Sequence, residues 1–389
     1  MPDLKTTRWL LAFLLAALVL LESTPAQEKH ATHYLVYVGT YTTKTASKGI
    51  YAFRYDAGSG KLVPIGVVAE TRDPSWIAVH PNGKFLYAVN EAGKNSTISA
   101  FRIDAASGKL KLLDQVPALG EDPCYLSFDK TGKYVLVANY TSGNVVVFPI
   151  GPNGELGPAT ANLRDEGNLG PNKERQDGPH AHWIETSEGN RFAYVSDLGL
   201  DRVLIYKFNR ESGTLSNPDP GREEAFSATL PPGSGPRHLT FSRDGNFLYV
   251  LSELQSTVTV FANDAREKYR ALETVSALPA GFSGRNDAAE IALDPSGKFI
   301  YTSNRGSDTI AVFQLEAGGR LRLAADVPTG GKEPRHFSID PSGNYLFAEN
   351  QLSDNIVTFR IDRKTGMLTK VGETLDVPSP ICIQFLPLD

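Results

Sequence analysis

Cysteine is nearly absent from this 389-residue sequence; Cys124 and Cys382 are the only two and lie 258 positions apart. A disulfide scaffold is thereby excluded. No Cys-x-x-Cys and no His-Glu-x-x-His occurs, so the common zinc signatures are missing. Neither a Gly-x-Ser-x-Gly elbow nor a Walker-type Gly-Lys-Ser/Thr sequence is present, which removes the marked serine-hydrolase and nucleotide-binding readings. An excess of charge is missing too. Lys plus Arg number 39 against 44 Asp plus Glu, a net −5, which gives no electrostatic case for nucleic acid. Long apolar runs are limited to Trp9–Leu21, thirteen residues where about 20 are needed to span a bilayer. Lys5 and Arg8 precede that run and Ser-Thr-Pro-Ala26 follows it, so residues 1–26 read as a signal peptide. No cysteine follows to carry a lipid. The mature chain is expected to be exported, periplasmic or secreted, with no membrane attachment after cleavage.

Beyond the leader, helical periodicity is absent, while Gly 35, Pro 25, Tyr 15 and Phe 19 are plentiful. That balance suits many short strands punctuated by turns. A repeat supplies the order. Pro74-Ser-Trp-Ile-Ala-Val-His-Pro-Asn-Gly-Lys-Phe-Leu-Tyr-Ala-Val-Asn-Glu91 recurs from Pro123, His180, Pro236, Ala288 and Pro334, with starts 46 to 57 residues apart. The glycine falls at the same place each time: Gly83, Gly132, Gly189, Gly245, Gly297 and Gly343. Each unit reads as a hairpin whose glycine supplies a positive φ, followed by a third and a weaker fourth strand. Four antiparallel strands make a propeller blade. Pro380–Pro387 resembles a first strand with nothing after it, and Tyr34–Thr40 a second strand with nothing before it. Joining them makes a seventh blade and closes the ring. The fold expected is all-β, a seven-bladed propeller over residues 33–389, monomeric because no edge is left open. Cys124 and Cys382 then fall in non-neighbouring blades, as two buried thiols.

Repetition allows each position to be compared with its copies. Phe85, Tyr134, Phe192, Phe247, Phe299 and Tyr345 are always aromatic, which marks packing. The position eight residues after the glycine is polar but varied: Glu91, Tyr140, Asp197, Glu253, Arg305 and Gln351, with Thr40 in the split blade. These residues are expected to form a belt around the axis. Two positions at the start of the first strand hold Ser75, Cys124, Ala181, Arg237, Ala289 and Arg335, then Trp76, Tyr125, His182, His238, Glu290 and His336. First strands line the channel of a propeller, so His182, Arg237, Glu253 and Arg305, on blades 3 to 5, are expected to converge into an anion-binding, acid–base-competent site. Asp197, His238, Arg335, Gln351 and Glu91 are the expected substrate-binding residues around it. Long excursions at 163–178, 217–235 and 278–286 fall on consecutive blades and are candidates to rim a pocket. His30, His33 and His80 fit no column and read as surface residues. Pro179-His180-Ala181-His182 lacks a third ligand, and no metal or cofactor is expected.

Tyr37-Val-Gly-Thr-Tyr41, Gly178-Pro-His-Ala-His182, Ser196-Asp-Leu-Gly-Leu-Asp201, Gly235-Pro-Arg-His238, Ser252-Glu253 and Asn304-Arg305 together resemble the lactonase family of seven-bladed propellers, over about residues 34–386. That family includes propeller-type 6-phosphogluconolactonases and carboxymuconate-type lactonising enzymes. The resemblance implies hydrolysis of a sugar-type lactone, a small-molecule substrate, by a site of one His, two Arg and one Glu. By motif these carry over to His182, Arg237, Arg305 and Glu253. Three alternatives stand beside it: a non-catalytic binding or scaffold propeller, a lactonising cycloisomerase, and a calcium-dependent lactonase using Glu91, Asp197 and Glu253 as oxygen ligands.

Overall fold

The computed structural model describes residues 31–217, 226–263 and 268–389; residues 1–26, expected as a signal peptide, and His30 lie outside the described residues. Seven antiparallel sheets follow one another around the chain. Blade 1 contains Ile77–Val79, Phe85–Asn90, Thr97–Ile103 and Leu110–Pro117, and blades 2, 4 and 5 repeat this plan. In blades 3 and 6 the fourth strand is divided. Thr214–Ser216 and Ser227–Thr229 both pair with Arg202–Asn209, and Leu368–Lys370 and Leu375–Asp376 both pair with Asn355–Ile361. Blade 7 takes its first strand, Pro380–Pro387, from the end of the chain and its second, His33–Thr40, from the start. The ends are tied further: Thr32 Oγ1 donates to Asp389 Oδ2 at 2.7 Å, and the His33 amide donates to Oδ1 at 3.1 Å. Among the described residues no helix is long and apolar enough to cross a membrane.

The recurrent aromatic column explains how blades lock together. Phe85 packs on Gly154 of blade 2, Tyr134 on Gly213 of blade 3, Phe247 on Gly319 of blade 5, Phe299 on Gly366 of blade 6 and Tyr345 on Gly60 of blade 7. Each glycine sits where a side chain would collide with the ring. The hairpin turns are held by aspartates: Asp129 and Asp294 each accept three backbone N–H bonds and Asp340 two, such as Tyr345 N to Asp340 Oδ1 at 2.8 Å. Five of the six turn glycines have φ near +70°, as expected. Blade 3 departs from this, because Asn190 rather than Gly189 takes the left-handed conformation, at φ 54°. Asparagine tolerates that region best among side chains, and Asn190 Nδ2 donates to Asp129 Oδ2 of blade 2 at 2.8 Å.

Cys124 and Cys382 are buried and unpaired, in blades 2 and 7 with blade 1 between them. His80 corrects the surface reading: it is buried, its Nε2 2.8 Å from the Gly132 carbonyl and its ring 5.1 Å from Phe128. His33 is exposed.

Candidate active site

A strand that simply alternated would send neighbouring residues to opposite faces. Arg237 and His238 nonetheless both turn toward the axis, and a β-bulge is the reason. The pairing of first with second strand shifts register at the same place in five blades, between Pro123 and Tyr125, Ala181 and Trp183, Pro236 and Leu239, Ala288 and Ile291, and Pro334 and His336. Bulges re-aim side chains and leave part of the ladder unpaired. Two adjacent columns of the repeat therefore point into the channel together.

At one end of the channel lies a depression of about 390 Å³, lined among others by Glu91, Tyr140, Arg175, His182, Glu253, Arg305 and Arg335. Glu253 is its centre. Oε2 stands 3.1 Å from Arg237 Nε and 3.1 Å from Arg305 Nη2, while Oε1 is 2.5 Å from Arg175 Nη2. Burial alone would push this carboxyl up, but Arg305, Arg237 and Arg175 outweigh it and hold it at about 2. The guanidiniums are anchored in turn. Arg237 donates to the Ala289 carbonyl, and Arg305 Nε to that of Asp287 at 3.1 Å. Arg175 reaches Tyr140 Oη at 3.3 Å and Asp287 Oδ1 at 3.6 Å.

His182 is buried, edge-on to Tyr140 at 5.6 Å and to His238 at 5.2 Å between ring centres. Its Nδ1 has no hydrogen-bond partner. Burial, followed by the positive fields of Arg237 and Arg335 and by the neighbouring His238, holds its pKa well below the usual 6.5, so the ring is neutral. Arg335 lies over the Tyr41 ring at 5.4 Å; burial would lower its pKa, but Tyr41 and Glu91 keep it charged. Glu91 opposite is pushed up by burial, which Arg335 only partly offsets.

Of the residues expected here, His182, Arg237, Glu253 and Arg305 come together, with Arg335 and Glu91 beside them. Four do not line the depression. Arg237 is buried behind Glu253, 3% exposed. Asp197 is fully buried and accepts from the backbone of His180 at 2.9 Å and Leu200 at 3.0 Å, next to a second buried carboxyl, Asp165. Gln351 opens a short 3-10 turn, Gln351–Ser353, half-exposed. His238 is buried one layer deeper in the channel. Thr40 of the belt is consumed locally, donating to the Gly49 carbonyl at 2.6 Å. Because Asp197 is spent on backbone amides and Glu253 on arginines, Glu91, Asp197 and Glu253 do not form the calcium cage considered above; no group of three or more His, Cys, Asp or Glu able to hold a metal occurs among the described residues.

Arg175 was not among the expected residues. It stands in the 163–178 excursion, outside every repeat column, and the excursion's position on the site sector was the only signal pointing to it. The loop is pinned by Gln176, whose Nε2 donates to Leu198 O at 2.9 Å and Asp201 Oδ1 at 2.8 Å.

The family described as "Lactonase, 7-bladed beta-propeller" matches residues 35–385. This chain belongs to that family. A 6-phosphogluconolactonase of Bacillus subtilis is 35% identical over 357 residues, covering 91% of this chain and 99% of the relative. One from Formosa agariphila is 34% identical, covering 90% and 98%. The solved structure of the periplasmic gluconolactonase of Pseudomonas aeruginosa superposes with a TM-score of 0.84 at 34% identity, covering 91% of this chain and 99% of that one. Fold and family agree with the resemblance carried by the motifs.

Proposed function

We propose that this protein hydrolyses a sugar-type lactone to its open-chain hydroxy acid, using His182, Glu253 and the arginines around them. The observation that carries this reading is the convergence of three guanidiniums on one buried carboxylate, beside an uncharged imidazole, at the open end of the channel. A lactone is a cyclic ester whose carbonyl oxygen becomes negative as water adds. Arg305, which lines the depression, and Arg237 behind Glu253 would stabilise that charge, and their fixed orientation by Glu253 and backbone carbonyls supports this role. His182 is the group best suited to take the proton from water and return it to the ring oxygen as the C–O bond breaks. Glu253, ionised at every physiological pH, is a weak base and serves to balance and aim the guanidiniums. The names of the Bacillus and Pseudomonas relatives support a gluconolactone skeleton, with or without a phosphate.

Residues 1–26 as a signal peptide, together with the periplasmic location named for the Pseudomonas protein, support export of this chain to the periplasm or beyond. The closed ring supports a monomer, which light scattering on the purified protein checks.

The test is hydrolysis of gluconolactone and 6-phosphogluconolactone by the purified protein. His182→Ala is expected to lower kcat about 100-fold or more, and Arg305→Ala to lower kcat/KM about 100-fold, with circular dichroism unchanged. Full turnover in both variants would remove these residues from the mechanism. No turnover of any lactone, with a retained binding partner, would favour a scaffold role.

A further inference from the structure

Below the site, a chain of buried polar side chains continues down the channel. Arg237 Nη1 lies 3.3 Å from His238 Nε2, and His238 Nδ1 lies 2.9 Å from Glu290 Oε2. The same oxygen is 3.3 Å from His336 Nε2, and His336 Nδ1 is 2.6 Å from Glu349 Oε2. His238 is 1% exposed and Glu349 0%. Glu290 Oε1 accepts the Ile291 amide at 3.0 Å. Trp76 stands edge-on to both imidazoles, at 5.5 and 5.2 Å, and Tyr125 edge-on to His238 at 5.2 Å.

The Arg237 end of this chain admits one arrangement of protons. A guanidinium can only donate, so His238 Nε2 must accept and Nδ1 must carry the hydrogen it gives to Glu290. Glu290 Oε2, accepting from His238, also faces His336 Nε2 at 3.3 Å. His336 Nδ1 and Glu349 Oε2, 2.6 Å apart, share one proton. Burial and the neighbouring Glu290 do push the Glu349 carboxyl well up. From this ordered chain we infer that His238, fixed in its Nδ1–H tautomer by Glu290, is a positioning residue that holds Arg237 in place for lactone hydrolysis. The inference rests on the proposed role of Arg237 and extends it one layer deeper. Glu290 supplies the negative charge on the channel side of Arg237, as Glu253 does on the substrate side.

The two nitrogens of His238 can be tested apart. His238→Gln can set its amide oxygen where Nε2 stands and still accept from Arg237. His238→Asn can set its amide nitrogen near Nδ1 and still donate to Glu290. Both should melt within a few degrees of each other, while kcat falls about tenfold or more in His238→Asn and stays within about threefold in His238→Gln. Equal kcat in the two variants overturns the inference. Arg237→Ala separates the two layers of the argument: if it retains full turnover, the role of Arg237 fails, whereas loss in Arg237→Ala without loss in His238→Asn sinks only the positioning role. A readout independent of activity is the ¹⁵N spectrum of histidine-labelled protein, with the His238 signals identified by their loss in His238→Gln. Hydrogen on Nδ1 and none on Nε2 is expected, and the opposite tautomer overturns the inference whatever the turnover.

Discussion

Glu253 and Glu349 are both deeply buried carboxyls, yet their surroundings drive them in opposite directions. Glu253 is held at about 2 by three guanidiniums, against an ordinary value of 4.5. The stability it contributes is present above 4.5 and is lost as pH falls toward 2, on the order of 3 kcal/mol. Glu349, Glu290 and Glu91 are raised, so their ionisation costs stability as pH rises and acid relieves that cost. Glu253→Gln is therefore expected to lose about 3–5 kcal/mol at pH 7, since it strands three cations, and to lose less than the native protein on going to pH 3. Urea unfolding at the two values measures both. For activity, the lowered pKa of His182 keeps the ring neutral to well below 6.5. The expected profile of kcat/KM is flat between pH 6 and 8 with an acid limb well under 6.5; a limb centred at or above 6.5 would exclude His182 as the base. The four central residues were legible because each repeat provides controls for the others. Asp197 misled because a polar column does not reveal when one member is claimed by backbone amides. Arg175 has no column at all, hence nothing to be compared with.

At the scale of the element, hairpins and turns were legible from short-strand composition and from the glycine recurring at one place in every unit. The bulges that turn Arg237 and His238 inward were not, because register belongs to a pair of strands and leaves no mark in either alone. The divided fourth strands of blades 3 and 6 were hidden for a similar reason, being short and lying at the outer edge. The 163–178 loop packs directly on Gly199, where a Cβ would run into the Gly178 carbonyl oxygen. Gly199→Ala should therefore displace the loop carrying Arg175, raising KM for lactone about tenfold with a modest change in melting temperature. Gly213→Ala makes the contrasting case. It meets both a φ of +68° and the Tyr134 ring of the neighbouring blade, far from the chemistry, and is expected to cost about 1–3 kcal/mol with KM unchanged. Steady-state kinetics beside thermal melts distinguish the two.

The count of seven and the split blade were legible at the scale of the whole molecule, because the ends of the chain carry complementary fragments of one repeat. Blade 7 pairs Val36 with Phe385 and Val38 with Ile383, so its second strand has no partner on that side without the last ten residues. Removing residues 380–389 is expected to abolish the cooperative melt and expose Cys382's former neighbours around Ile77, while removing only Leu388 and Asp389 should cost little more than the Thr32 and His33 bonds. Differential scanning calorimetry of the two truncations checks this.

That closure also sets a schedule. The strand made first, His33–Thr40, is completed by the strand made last, Pro380–Pro387. During synthesis residues 33–40 emerge with their sheet partner still untranslated, and the ring can shut only after residues 380–387 are made. Native pairings this distant along a chain form slowly, so between those two events the nascent protein is an unsealed arc with two exposed strand edges, the interval in which a chaperone would have access to it.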